Sequence, residues 1–176
     1  MRQLDAGEAP VVTEIDYDDP EFKRNTYWFP WSNEGVRALL GTYQDMSTVK
    51  TVELFCEVYG PSVQKGFKYD SEGGGLGFKA FGLKVNDRFY DWDSFEEICK
   101  EHGIPVVPVL YKGPFDQAKI LAMIEVPTTL GEAPVMEGCV VVPAAERTDP
   151  KVGRATLKYI SYQYELLKNK PDCKDV

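Results

Sequence analysis

The tightest constraint on the fold lies mid-chain, where Phe78-Lys79-Ala80-Phe81-Gly82-Leu83-Lys84-Val85 and Arg88-Phe89-Tyr90 flank the dipeptide Asn86-Asp87. Asn and Asp tolerate the positive φ that a two-residue hairpin turn demands, so this segment predicts two antiparallel strands and a tight reversal. Upstream, Thr51-Val52-Glu53-Leu54-Phe55-Cys56-Glu57-Val58-Tyr59 is rich in β-branched and aromatic residues and stops at Gly60-Pro61, which predicts a further strand. The clearest helix follows the hairpin. Ser94-Phe95-Glu96-Glu97 forms a capping box, Phe95, Ile98, Cys99 and His102 lie on one stripe, and Gly103 with Pro105 closes it. A shorter helix is expected from a Ser32 cap through about Leu40, with Gly41 as its stop.

The rest of the chain supplies more strands than helices. Val11-Val12-Thr13 reads as a short strand, and the acidic, Pro-broken stretch from Glu14 to Glu21 reads as loop. Ser71-Glu72-Gly73-Gly74-Gly75 is a glycine-rich loop that lacks the residue order of a phosphate-binding P-loop. Strands are expected at Val106 to Tyr111, Cys139 to Val142 and Ala155 to Ile160, with helices at about Phe115 to Ile124 and after Ser161. Strands joined by hairpins and long loops predict an α+β fold with mostly antiparallel sheets. One domain is expected over 1–170, followed by a polar tail, 171–176.

Composition narrows the function classes. At 176 residues, 43% of them hydrophobic, the chain can bury a core without a disulfide or metal staple. Four cysteines without a Cys-x-x-Cys pair and one histidine give no support to zinc fingers, thioredoxin-like redox chemistry or His-rich metal sites, and reduced thiols are expected. A net charge of −8 argues against non-specific nucleic-acid binding through a broad basic face, while leaving room for a local basic groove. No apolar run approaches the ~18 residues of a membrane span. The start of the chain lacks the apolar core of a signal peptide, so a cytoplasmic location is expected.

His102 falls near the end of an amphipathic helix and fits a structural role better than a Ser/His/Asp triad. What remains for chemistry is a set of charged residues on or beside strands: Glu57, Glu137, Lys158, and Lys79 or Lys84. A carboxylate on an otherwise apolar strand is costly to bury unless it is paired or holds a metal or ligand. The plain alternative is that all of them are solvated strand residues.

Taken in order, Glu53-Leu54-Phe55-Cys56-Glu57-Val58-Tyr59-Gly60, Gly77-Phe78-Lys79-Ala80-Phe81, Glu137-Gly138-Cys139-Val140-Val141 and Leu157-Lys158-Tyr159 resemble successive motifs of the ATP-dependent RNA ligases. That family is a branch of the covalent nucleotidyltransferase superfamily, with DNA ligases and mRNA capping enzymes, and the likeness runs from about Asn25 to Lys168. The resemblance implies a cleft between two sheets that holds ATP with Mg²⁺. It implies that Glu57 contacts the ribose, that Glu137 holds or orients the divalent cation, and that Lys158 neutralises the α-phosphate. An aromatic from Phe78 or Phe81 would stack on adenine. Strand alternation lets only one of the two face the pocket, and Phe81 is favoured. RNA ends would be the substrate.

One motif of the family has no counterpart here. Its nucleophile is a lysine in a Lys-x-x-Gly segment ahead of the Glu57 motif, yet Pro10-Val11-Val12-Thr13-Glu14 leads into Ile15-Asp16-Tyr17-Asp18-Asp19. Lys100-Glu101-His102-Gly103 fits the spacing but lies downstream, at a helix end. Val142 stands where the family usually has arginine, Gly82 where aspartate is usual, and Thr156 where some members carry lysine. Three expectations follow: a ligase that is inactive alone, a non-catalytic remnant binding nucleotide, RNA or a protein, or half of a split enzyme whose second chain supplies the lysine strand. An open sheet edge would also favour self-association.

Overall fold

The computed structural model describes residues 26–60, 63, 75–128 and 135–168. The expected strand at Val11–Thr13, the acidic stretch after it, Ser71 to Gly74 of the glycine-rich loop and Cys173 lie outside the described residues.

A 3₁₀ turn, Thr26–Ser32, leads into α1 (Glu34–Gln44). Its cap is Asn33, whose Oδ1 accepts the Val36 N–H at 3.1 Å, and not Ser32, whose hydroxyl donates to the Phe29 carbonyl. The helix also runs through Gly41 to Gln44, because a glycine inside a helix costs only about 1 kcal/mol and does not by itself end it. Next come β1 (Val52–Tyr59), β2 (Gly77–Val85) and β3 (Arg88–Phe89), an antiparallel sheet in the order β1-β2-β3. Asn86 and Asp87 turn the hairpin at φ 47° and 65°, as their residue types predict. The Asn86 amide then accepts from the Lys50 and Thr51 N–H groups and donates to the Thr48 carbonyl, tying the turn to the approach of β1.

Helix α2 (Trp92–Glu101) covers this sheet. It starts two residues before the expected cap at Ser94, since the Asp91 carbonyl already accepts the Phe95 N–H at 3.0 Å. Phe95 and Cys99 from α2, Val36 and Leu39 from α1, Phe78, Ala80 and Leu83 from β2, and Ile104 form one buried cluster. The segment expected as a strand from Val106 to Tyr111 makes only a bridge from Val106 to Ala80, in which the Ala80 N–H donates to the Pro105 carbonyl and the Val107 N–H donates to the Ala80 carbonyl.

The C-terminal part contains α3 (Gln117–Ile124), β4 (Gly138–Val141), β5 (Thr148–Asp149), β6 (Gly153–Arg154), β7 (Leu157–Ile160) and α4 (Tyr162–Lys168). Strands β4 and β7 pair antiparallel as a two-stranded ribbon, and β5 and β6 form a small hairpin between them in sequence. Glu125, just past α3, accepts from the Tyr162 and Gln163 N–H groups and from the buried Ser161 hydroxyl, so one carboxylate starts α4. The architecture is α+β, with helices on antiparallel sheets. Among the described residues no helix is long and apolar enough to cross a membrane.

Candidate functional site

Strand β1 alternates strictly, with Val52, Leu54, Cys56 and Val58 packed on the core. Period-two geometry therefore puts Glu53, Phe55 and Glu57 on the opposite face. Strand β2 changes phase partway. Phe55 pairs with Gly82 and Cys56 with Ala80, which leaves Phe81 as a bulged residue without an opposite number. The bulge lets Phe78 and Ala80 on one side of it, and Leu83 on the other, all reach the same core. Phe78 is 7% exposed and meets Phe29 edge-on, whereas Phe81 is 38% exposed. Of the two candidates for stacking on a base, Phe81 is the one whose ring solvent can reach.

Two aromatic residues that sequence reasoning passed over join it. The Phe55 ring lies 6.2 Å from Phe81 and 5.3 Å from Phe89, measured between centroids. The alternation Glu53, Phe55, Glu57 was the available signal for the first; Phe89 needed the hairpin pairing. Gly82 lies beneath them, with the Phe89 ring and the Phe55 Cβ nearest to where a side chain would begin. Charges border the aromatics: Lys84 pairs with Glu53 at 2.9 Å and with Asp87 at 3.1 Å, and Glu57 stands opposite Lys79. Those two carboxylates hold the Lys84 ammonium above its usual pKa, through their hydrogen bonds first.

The ribbon brings the other two predicted residues together. Val140 pairs with Lys158 in register, and Lys158 Nζ reaches back to Glu137 Oε1 at 3.2 Å, with both side chains accessible. The Glu137 carbonyl accepts the Ser161 N–H, which fixes the backbone on which that carboxylate stands. Gly138 follows at φ 155°, and a Cβ there would collide with the Tyr159 carbonyl oxygen. Only glycine lets β4 lie this close to β7 directly beside Glu137.

The far end of the ribbon meets the aromatic face. Val142 and Pro143, just past β4, line a small hollow with Phe81, Gly82, Tyr90 and Trp92. Arg154 lies 3.8 Å over the Phe89 ring and makes two hydrogen bonds to Glu146, at 3.0 and 2.8 Å. Phe81 is thus close to Val142, while Glu137 lies at the other end of β4, about 16 Å away for five extended residues. The structure places an exposed aromatic surface and an exposed ammonium–carboxylate pair on two adjoining sheets. It shows no contact of Glu57 with Glu137 or Lys158.

A divalent cation would find a sparse donor set. Among the described residues no group of three or more His, Cys, Asp or Glu side chains converges. Glu137 alone suits a hard cation such as Mg²⁺ that keeps most of its waters and arrives with a phosphate. The residues present fit a metal brought by a nucleotide and do not form a protein-built cage.

Comparison with known families gives a match to the family model described as RNA ligase over residues 4–160, which spans the hairpin, the Glu57 strand and the whole β4–β7 ribbon. No individual curated protein matches the chain. A family match covering most of the sequence establishes that this chain belongs to the RNA ligase family.

Proposed function

We propose that this chain is an RNA ligase of the ATP-dependent, covalent nucleotidyltransferase type that retains a nucleotide-binding face and lacks its own nucleophile. The observation that carries the reading is the Lys158–Glu137 pair at 3.2 Å, held in register on an exposed ribbon. An exposed ion pair is worth roughly 0.2–1 kcal/mol, so it costs little to open. A hydrogen bond from an ammonium to a phosphate is worth about 1.5–3 kcal/mol and wins that exchange. Lys158 then neutralises an α-phosphate, Glu137 is left free to orient a phosphate-borne Mg²⁺, Phe81 stacks on the base, and Glu57 accepts from the ribose. Mg²⁺ bound with ATP would supply charge neutralisation at the phosphates.

Sealing RNA ends by this chemistry needs a lysine to carry AMP, and no Lys-x-x-Gly segment stands ahead of the Glu57 motif. The chain alone is therefore inactive in adenylylation, and a second chain carrying that strand would complete it along the open edge of a sheet. A non-catalytic binder is the second reading. Three departures from the family pattern favour it: Gly82 lies under Phe55 and Phe89, Val142 puts an uncharged side chain in the hollow beside Phe81, and Thr156 replaces a lysine near Lys158.

Incubation with labelled ATP and Mg²⁺, followed by denaturing electrophoresis, separates the readings. The chain alone should give no adduct, and adding a purified fragment that bears the lysine strand should produce one. A stoichiometric adduct on the isolated chain, abolished by mutating one of its lysines, would overturn the assignment. No adduct and no co-purification with the fragment leaves the non-catalytic binder.

A further inference from the structure

We infer that Arg154 and Glu146 are positioning residues, a brace that sets the Lys158-bearing ribbon against the aromatic face so that one nucleotide can touch both. Lys158 contacts the phosphates and Arg154 acts through it; the inference rests on the nucleotide-binding reading above.

Four contacts meet at this brace. Arg154 donates from Nε and from a terminal nitrogen to the two carboxylate oxygens of Glu146. Its guanidinium lies 3.8 Å over the Phe89 ring. The Glu146 N–H donates to Asp91 Oδ1, at the start of α2. The Ala155 N–H donates to the Arg147 carbonyl, closing the β5–β6 hairpin beside the pair. Phe89 and Asp91 belong to the first sheet and the start of its covering helix, whereas Glu146 and Arg154 lie within the link between β4 and β7, on either side of the β5–β6 turn.

Both strands of the ribbon are thereby fastened at one end, the end next to Phe81. Arg154 lies four residues before Lys158, on the same continuous segment. A two-stranded ribbon is marginal by itself and takes its orientation from what it is tied to. The Glu146 and Arg154 side chains are 13% and 30% exposed, so their pairing is sheltered from solvent, unlike that of Lys158 and Glu137. A planar guanidinium that forks onto a carboxylate and stacks on a ring fixes direction as well as distance, which a lysine cannot do.

The test uses the full chain, with ATP and adenosine as probes in calorimetry and with backbone dipolar couplings from NMR. Arg154→Ala should weaken ATP binding about tenfold, equivalent to 1.4 kcal/mol, and leave adenosine binding within about twofold. Arg154→Lys should fall between. Arg154→Ala with Lys158→Ala should be no weaker than Lys158→Ala alone, because both act on the same phosphate contact. The amides of β1–β2 and of β4–β7 should share one alignment in the parent protein and require two in Arg154→Ala. Equal loss of ATP and adenosine, additive effects, or a single alignment in the variant would each overturn the brace. If the parent binds neither probe, the nucleotide reading fails and the dipolar couplings decide the brace alone. If Arg154→Ala does not fold, Glu146→Gln takes the same measurements with the same criteria.

Discussion

Lys158 and Glu137 are 21 residues apart in sequence and 3.2 Å apart in space, joined because β7, which carries Lys158, pairs antiparallel with β4, which begins one residue after Glu137. Replacing either tests the phosphate half of the proposed site. Lys158→Ala should weaken ATP binding by about ten- to a hundredfold, the range of one charged hydrogen bond. Adenosine, which has no phosphate, should bind Lys158→Ala and the parent alike. Glu137→Gln should reduce the gain in ATP affinity that Mg²⁺ provides. Titration calorimetry with and without Mg²⁺ checks all three, and an ATP affinity indifferent to Lys158→Ala would remove that residue from the site.

The bulge at Phe81 separates the two phenylalanines of β2 by exposure. Phe78→Ala empties part of a buried cluster and should cost about 3–5 kcal/mol of stability. Phe81→Ala should change stability by less than about 1 kcal/mol and weaken adenosine binding by about 1–3 kcal/mol through lost stacking. Urea unfolding and ligand-observed NMR on the two variants measure these. The opposite assignment would mean that β2 presents its other face to the ligand.

Gly138→Ala should be among the most damaging single-methyl additions in the ribbon. The new Cβ would run into the Tyr159 carbonyl oxygen and come 2.9 Å from the Ile160 Cα, at a φ that L residues rarely adopt. Strain and overpacking of this kind each cost about 1–3 kcal/mol. Amide exchange should accelerate in β4 and β7 first, and a thermal midpoint equal to the parent's would contradict the close approach.

Two core thiols should resist modification until high pH. Burial pushes Cys56 from 9.0 to about 12, with the nearby Cys99 adding to it, and burial pushes Cys99 to about 11. At pH 8 the thiolate fraction is on the order of 10⁻⁴ for Cys56 and 10⁻³ for Cys99, so a thiolate-seeking disulfide reagent should react with both only after unfolding. The raised values also have a consequence for stability. In the unfolded chain both thiols ionise near 9, while in the fold they stay protonated, so their contribution is full below pH 9 and is lost as pH climbs toward 11 and 12. Denaturant midpoints from pH 7 to 11 should fall above 9, and the fall should shrink in Cys56→Ala.

Local chemistry in the sequence was enough for the elements whose signals need no distant partner. Asn86 and Asp87 adopt positive φ because their side chains permit it, and β1 alternates because its residues do. The motif residues Glu57, Phe81, Glu137 and Lys158 could be named from their order along the chain. The two helix caps differ from the sequence expectation by one residue at Asn33 and three at Asp91, where the cap's own amide oxygen or carbonyl accepts a first-turn N–H. The tertiary structure decided what depends on packing. The phase change at Phe81 arises because β2 must serve one core on both sides of a bulge, and no local pattern encodes which residue is left over. Phe89 and Arg154 carry no motif of their own; they meet Glu146 only because a hairpin, a helix start and a ribbon are brought to one place. A side chain's type is local, but its partner is chosen by the contacts that bury the rest of the chain.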